Sequence, residues 1–252
     1  MLKLIKYELR ANFLTILGIC TIVIIANLLL MLKKGSWLVA VPGLSAFLVL
    51  GAIIVIFISS LKIMSKYLYE DSGYLLFTLP QSGRAIITSR LITALIQISI
   101  VVLVSVLMFY LNVPDEIPSH FFKDVKVNVI VFNIISYVWG IVYFLLLIYF
   151  CMVIGKVVLR GKKIGKVGSF IIFIILAVGI GWLSYKITTI LPQNFNLSDF
   201  SMTYDNKVLN SDFTISSGAY IINIAQTIFD IITFGGLFIT TTYLIDKKLD
   251  LS

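Results

Sequence analysis

Asn223, Gln226, Thr227, Asp230 and Thr233 recur at i, i+3, i+4, i+7 and i+10. On a helix that spacing draws one polar stripe. The stripe lies in an otherwise apolar segment, 219–245. A charge at mid-membrane costs at least about 2.5–3.5 kcal/mol on insertion scales, so Asp230 must face protein or a water-filled cavity. Two chemistries fit. The stripe lines a translocation path with a site for a cationic group, or it hydrogen-bonds a neighbouring helix with Asp230 protonated. Asn27, Gln97 and Asn133 stand singly and are read as packing residues.

A second constellation runs from Glu70 to Arg84, in a polar loop expected at 62–90. Lys62, Lys66, Glu70 and Asp71 end the apolar pattern before it. Tyr67, Tyr69 and Tyr74 suit the headgroup region. Gly73 and Pro80 bracket Leu75, Leu76 and Phe77, which predicts one short transverse helix with exposed apolar residues. Ser82 is placed to cap the next helix, which carries Arg84 and Arg90. An apolar patch rimmed by charge marks a partner surface, or it lies on lipid.

The elements holding both constellations follow from composition. Of 252 residues, 60% are hydrophobic and only 13% are charged. A soluble domain of this length cannot hide that much apolar surface. A bilayer core of about 30 Å needs roughly 20 apolar residues per helix. Six stretches meet this, at about 11–32, 37–61, 91–111, 127–153, 167–191 and 219–245. Their backbones must satisfy themselves in lipid, so they are helices, and none shows the alternation of a barrel strand. The expectation is a single all-α polytopic membrane domain over 1–252. The first run is expected to be a span and not a cleavable signal, being too long and lacking a small-residue cleavage site.

Residues 1–13 are predicted to form a separate amphipathic interfacial helix. Leu2, Ile5, Leu9 and Phe13 recur at helical spacing, opposite Lys3, Lys6 and Arg10. The external segment 192–218 holds Asp199, Asp205 and Asp212 and is read as a solvated loop, with short helices dipping toward the membrane as the alternative. Gly179, Gly181, Gly235 and Gly236 suit close helix packing.

The net charge is +8. Nucleic acid is not the reading, because the positive residues flank the spans. Only Lys33, Lys34, Lys123, Lys126, Lys186 and Lys207 fall on one side; the other 14 of the 20 Lys and Arg fall with the termini. The positive-inside rule puts both termini in the cytoplasm, with the loops 62–90 and 154–166. Lys33 and Lys34 are a local exception that can snorkel to headgroups. The cluster Lys156–Lys166 is read as a topology signal and anionic-lipid contact.

The string Tyr74-Leu-Leu-Phe77-Thr78-Leu79-Pro80-Gln-Ser82, followed by Arg84 and Ser89-Arg90, resembles the membrane subunits of type-2 ABC exporters. In that family a Thr-Leu-Pro-x-Ser-Arg run lies between spans two and three. Chain length, six spans and the amphipathic start match its layout. Gly83 stands where the family often has Arg, and Arg84 follows. The resemblance implies that residues 70–84 carry a cytoplasmic coupling helix seated in a separate soluble ABC ATPase. Leu75, Leu76 and Phe77 would fill its groove, flanked by Tyr74, Thr78, Leu79, Pro80 and Ser82. Glu70, Asp71 and Arg84 would make rim contacts that set register more than affinity.

The chain itself is not expected to be an enzyme. A P-loop needs Gly-x-x-x-x-Gly-Lys-[Ser/Thr], and the runs Gly155–Lys163 and Gly161–Lys166 have the wrong spacing. His120 is the one histidine, and Cys20 and Cys151 lie in apolar runs without a metal or disulfide framework. No cofactor is expected in this chain; ATP and Mg belong to the partner ATPase. A second permease copy, identical or related, and membrane lipid complete the expected partners. The implied function is ATP-driven export of amphipathic or hydrophobic cargo from the cell membrane, such as a peptide toxin, antimicrobial peptide or drug. Rival readings are a secondary transporter or channel using Asp230, and a non-transporting immunity protein.

Overall fold

The computed structural model describes residues 2–34, 37, 40–69, 82–113, 127–158, 165–196, 201–204 and 221–248. Six helices among them are long and apolar enough to cross a membrane. They are α1 (Leu2–Met31), α2 (Ala40–Tyr69), α3 (Gly83–Asn112), α4 (Val127–Val158), α5 (Gly165–Ile190) and α6 (Ile224–Lys248). This is a multi-pass membrane protein. The chain divides into two compact units, Met1–Lys123 and Asp124–Ser252.

In the first unit α1, α2 and α3 each pack against the other two. Ile16 and Val23 of α1 meet a core that includes Ile56 of α2 and Ile87, Ala94 and Val101 of α3. The outward faces stay apolar: Leu14 is 79% exposed and Phe47 74%. In water such faces would aggregate; in lipid they are the solvated surface.

The separate interfacial helix expected at 1–13 is not formed. Residues 2–31 make one unbroken helix. No proline or glycine precedes Gly18, so nothing interrupts the i→i−4 ladder. The expected apolar face also divides, with Ile5 buried and Phe13 57% exposed.

The loop expected at 62–90 is shorter on both sides. α2 continues to Tyr69 because Ile63, Met64, Tyr67 and Leu68 keep a buried stripe facing the bundle. α3 starts at Gly83, with Ile86, Ile87, Ser89 and Arg90 buried in the same way. Packing, not hydropathy, sets these ends. Ser82 takes the expected N-cap position with extended backbone, φ −70° and ψ 146°, but its hydroxyl closes no cap bond. The segment assigned to the coupling helix, 70–81, lies outside the described residues.

Two polar locks hold the unit. Near one end Glu8 of α1 pairs with Arg90 of α3. Near the other, Asn27 Oδ1 accepts from Ser45 Oγ of α2 at 2.6 Å and from Asn112 Nδ2 of α3 at 2.9 Å. Along α1 the two locks are about 28 Å apart. That is close to the thickness of a hydrocarbon core. Beyond the second lock, Lys34 Nζ donates to the carbonyls of Leu111 and Val113 at 3.1 and 3.2 Å. A cation is favourable there, because a helix C-terminus leaves its carbonyls unpaired. Lys34 thus serves α3, where snorkelling was expected.

In the second unit α4 packs against α5 and α6. Leu145, Leu146, Tyr149 and Val153 are its buried face. Gly155 of α4 meets Ser169 of α5 so closely that an added Cβ would strike Ser169 Oγ and sit 3.1 Å from Ser169 Cβ. Small residues let helix backbones approach in just this way. Phe144 and Phe173 meet edge to face at 5.8 Å.

The segment after α5 corrects a second expectation. Its described part is neither a solvated loop nor a pair of dipping helices. It is an antiparallel sheet of β1 (Gln193–Asn196), β2 (Ser201–Tyr204) and β3 (Ile221–Asn223), in the order β2-β1-β3. Asn194 lies opposite Thr203 on one side and Asn223 on the other. The ladder satisfies backbone groups where the chain leaves and re-enters the helical layer. β3 runs directly into α6, so the last span begins at Ile224 and not at 219.

Candidate functional site

The polar stripe proves to be four separate arrangements. Asn223 is not a helical residue but the cap of α6. Its Oδ1 accepts from the backbone N–H of Gln226 at 2.9 Å, three residues on, as an N-cap asparagine does. Its Nδ2 donates to the Leu191 carbonyl at 2.9 Å and lies 3.3 Å from Asn194 Oδ1. One buried side chain thus ties the start of α6 to the end of α5 and to the sheet.

Gln226 is the interhelical contact. Its Oε1 lies 3.4 Å from Thr188 Oγ1 of α5, a hydroxyl that also stands 2.9 Å from the Ser184 carbonyl. Thr227 is exposed and bonds back to the Asn223 carbonyl at 2.9 Å. Thr233 likewise donates to the Phe229 carbonyl. These two hydroxyls are satisfied within their own helix, which is how Ser and Thr are accommodated in apolar surroundings.

Asp230 is the seventh residue of α6, about 9 Å from its start. It is half-buried. It makes no hydrogen bond or ion pair with any of the described residues. Lys186, the nearest cation in sequence on α5, instead stands 5.8 Å over the ring of Trp182, four residues before it.

What faces Asp230 comes from α4. The buried hydroxyl of Tyr143 lies beside Thr233 and within electrostatic reach of Asp230, yet closes no hydrogen bond of ordinary geometry. Trp139, one turn earlier on α4, places its ring 5.0 Å from Phe234, one turn after Asp230. Tyr143 is 6.5 Å from both Trp139 and Phe234. Phe234 stacks in turn on Phe238 at 6.4 Å and 12°. Asp230 therefore lies near Tyr143, whose ring belongs to a cluster with Trp139, Phe234 and Phe238. Reading the stripe on α6 alone missed this cluster. The signal was the i, i+4 pair Trp139 and Tyr143 matched by Asp230 and Phe234.

At the other candidate site, Glu70, Asp71, Tyr74, Leu75, Leu76, Phe77, Thr78, Leu79 and Pro80 lie outside the described residues. Ser82 and Arg84 are described, and both are exposed at the start of α3. The helices that lead into and out of this segment are joined by Arg90, only 4% exposed. Its Nη1 donates to the Ile63 carbonyl at 2.5 Å, its Nη2 lies 3.3 Å from Glu8 Oε1, and its Cζ stands 4.5 Å over the Tyr67 ring. One guanidinium thus binds all three helices, using its planar fork and its face together.

Glu8 was overlooked as a site residue. It is the one acidic residue before Glu70, set in an otherwise basic flank. That isolation was the available signal. Gln97 is packed, as expected, and neither of its amide atoms finds a hydrogen-bond partner among the described residues. No group of three His, Cys, Asp or Glu side chains that could hold a metal ion occurs among the described residues. No family model, no curated protein and no solved structure matches this chain.

Proposed function

We propose that the chain is the permease subunit of an ATP-driven exporter, resembling the type-2 ABC class. It works as a dimer of identical or related permeases with two soluble ATPase subunits, which hold the ATP and Mg. The observation that carries this reading is the Tyr74–Ser82 string standing between α2 and α3, two helices that outrun their apolar spans. The Arg90 contacts to Ile63, Tyr67 and Glu8 support it, because a segment pushed by a partner needs a stem that moves as one body.

Leu75, Leu76 and Phe77 are the groove anchors, with Tyr74, Thr78, Leu79, Pro80 and Ser82 around them. Glu70, Asp71 and Arg84 contact the rim. The excess of Lys and Arg on this side puts it, with both termini, in the cytoplasm of a cell-membrane protein. Nucleotide-driven closure of the ATPases moves α2 and α3, and through Arg90 it moves α1. Asn223, Gln226, Thr227, Asp230 and Thr233 mark the cargo path. The cargo is amphipathic or hydrophobic, such as a peptide toxin, antimicrobial peptide or drug.

The test is the complex with the ATPase. Replacing Leu76 or Phe77 with alanine is expected to dissociate it while the permease still inserts. A complex that survives both changes removes the anchor assignment.

A second reading is favoured by one observation, that Asp230 has no ion pair among the described residues. In a secondary transporter that carboxylate would carry a proton or a cation. Transport that persists in ATP-depleted vesicles and collapses with the proton gradient decides for it.

A further inference from the structure

We infer that Asp230 and the aromatic cluster beside it bind a lipophilic organic cation, one positive charge on an apolar body. This deepens the permease reading by naming its cargo class, and it rests on that reading for the ligand's purpose. The binding itself rests on the geometry of α4 and α6.

Asp230 and Phe234 stand one turn apart on α6, and Trp139 and Tyr143 stand one turn apart on α4. The two pairs face each other, with Trp139 and Phe234 at 5.0 Å and Tyr143 within electrostatic reach of Asp230. Acid and rings therefore border one surface. Asp230 has no cationic partner among the described residues, although an uncompensated carboxylate in an apolar layer is costly. A ligand that brings its own positive charge removes that cost.

The surroundings select the kind of cation. A hydrated metal ion favours several carboxylate ligands, and Asp230 belongs to no group of three His, Cys, Asp or Glu side chains among the described residues. Aromatic faces instead attract weakly hydrated organic cations, and tryptophan does so best. Trp139 is 37% exposed and Asp230 is half-buried, so neither is sealed inside the packing of α4 and α6. An anion of the same shape meets the carboxylate and is repelled.

The probe is tetraphenylphosphonium, titrated into the full-length chain in nanodiscs of zwitterionic lipid, without nucleotide or ATPase. Equilibrium dialysis gives the affinity, and tryptophan fluorescence reports the site. Saturable binding is expected. Asp230→Asn should weaken it by about tenfold or more, and Asp230→Glu should keep it within a few-fold. Trp139→Ala should weaken it several-fold and Trp139→Phe should recover most of that loss. Tetraphenylborate, the same shape with opposite charge, should show no saturable binding in a separate titration.

Absence of saturable binding to the native chain overturns the inference. So does equal affinity in Asp230→Asn, or equal binding of tetraphenylborate. If Asp230→Asn does not reconstitute, the Glu variant and the two Trp139 variants decide. The assay contains no ATPase, so its failure is separate from failure of the exporter reading.

Discussion

Arg90 Nη2 lies 3.3 Å from Glu8 Oε1, which joins α3 to α1 through a pair whose side chains are only 5% and 13% exposed. The same guanidinium reaches the Ile63 carbonyl and covers the Tyr67 ring of α2. A buried pair is costly to break on one side, because the remaining charge stays behind without compensation. Arg90→Ala is therefore expected to destabilise the first unit by about 3–5 kcal/mol. Replacing both residues, Glu8→Leu with Arg90→Met, should recover most of the loss. Arg90→Lys should not, since one ammonium cannot serve carbonyl, carboxylate and ring together. Thermal unfolding of the purified chain in detergent, followed by its helical signal, measures all three. Single variants with unchanged unfolding temperatures would show that the pair contributes nothing.

At the opposite end of the same helices, Asn27 accepts from both Ser45 and Asn112, and its own Nδ2 donates to the Val23 carbonyl at 2.9 Å. All three side chains are buried. Asn27→Ala removes the shared acceptor and strands two polar groups, at a cost of about 1–3 kcal/mol. Adding Ser45→Ala should cost less than the sum of the two single changes, because one stranded group goes with it. Strict additivity in the same unfolding assay would contradict the shared network.

Gly155 is fixed by contact and not by backbone conformation. Its place against Ser169 leaves no room for a methyl group, with Ser169 Cα only 3.3 Å from an added Cβ. Gly155→Ala is expected to force α4 and α5 apart and to cost about 1–3 kcal/mol, the usual range for overpacking. Ser169→Gly in the same chain should restore most of the stability. If Gly155→Ala alone unfolds like the native chain, the helices do not meet there as closely as described.

Six spans were legible because long apolar runs allow little else in a bilayer. Their ends were harder, since hydropathy stops at Leu61 while the buried stripe of α2 continues through Tyr67 and Leu68. The continuous α1 was missed for a related reason. An amphipathic pattern with basic residues says which face is polar, not whether the helix bends before the span. The sheet after α5 was hidden because its strands are three or four residues long and β3 pairs with β1 across a long stretch of chain. In the stripe, Asp230 stood out through its cost in lipid, whereas its aromatic neighbours on α4 could not be read from α6. Asn223 fits helical spacing and N-cap chemistry equally well, and only the start of α6 at Ile224 separates the two.

The central claim is that an ATPase supplies the energy through residues 70–84. Its most direct measurement is quantitative co-purification of the tagged full-length chain from its native membrane, with the captured subunits identified and their ATP hydrolysis assayed. The account predicts a span-free ABC ATPase, one per permease copy, vanadate-sensitive and lost on Phe77→Ala. A chain that purifies intact without any ATPase, in membranes where it still transports, would contradict it.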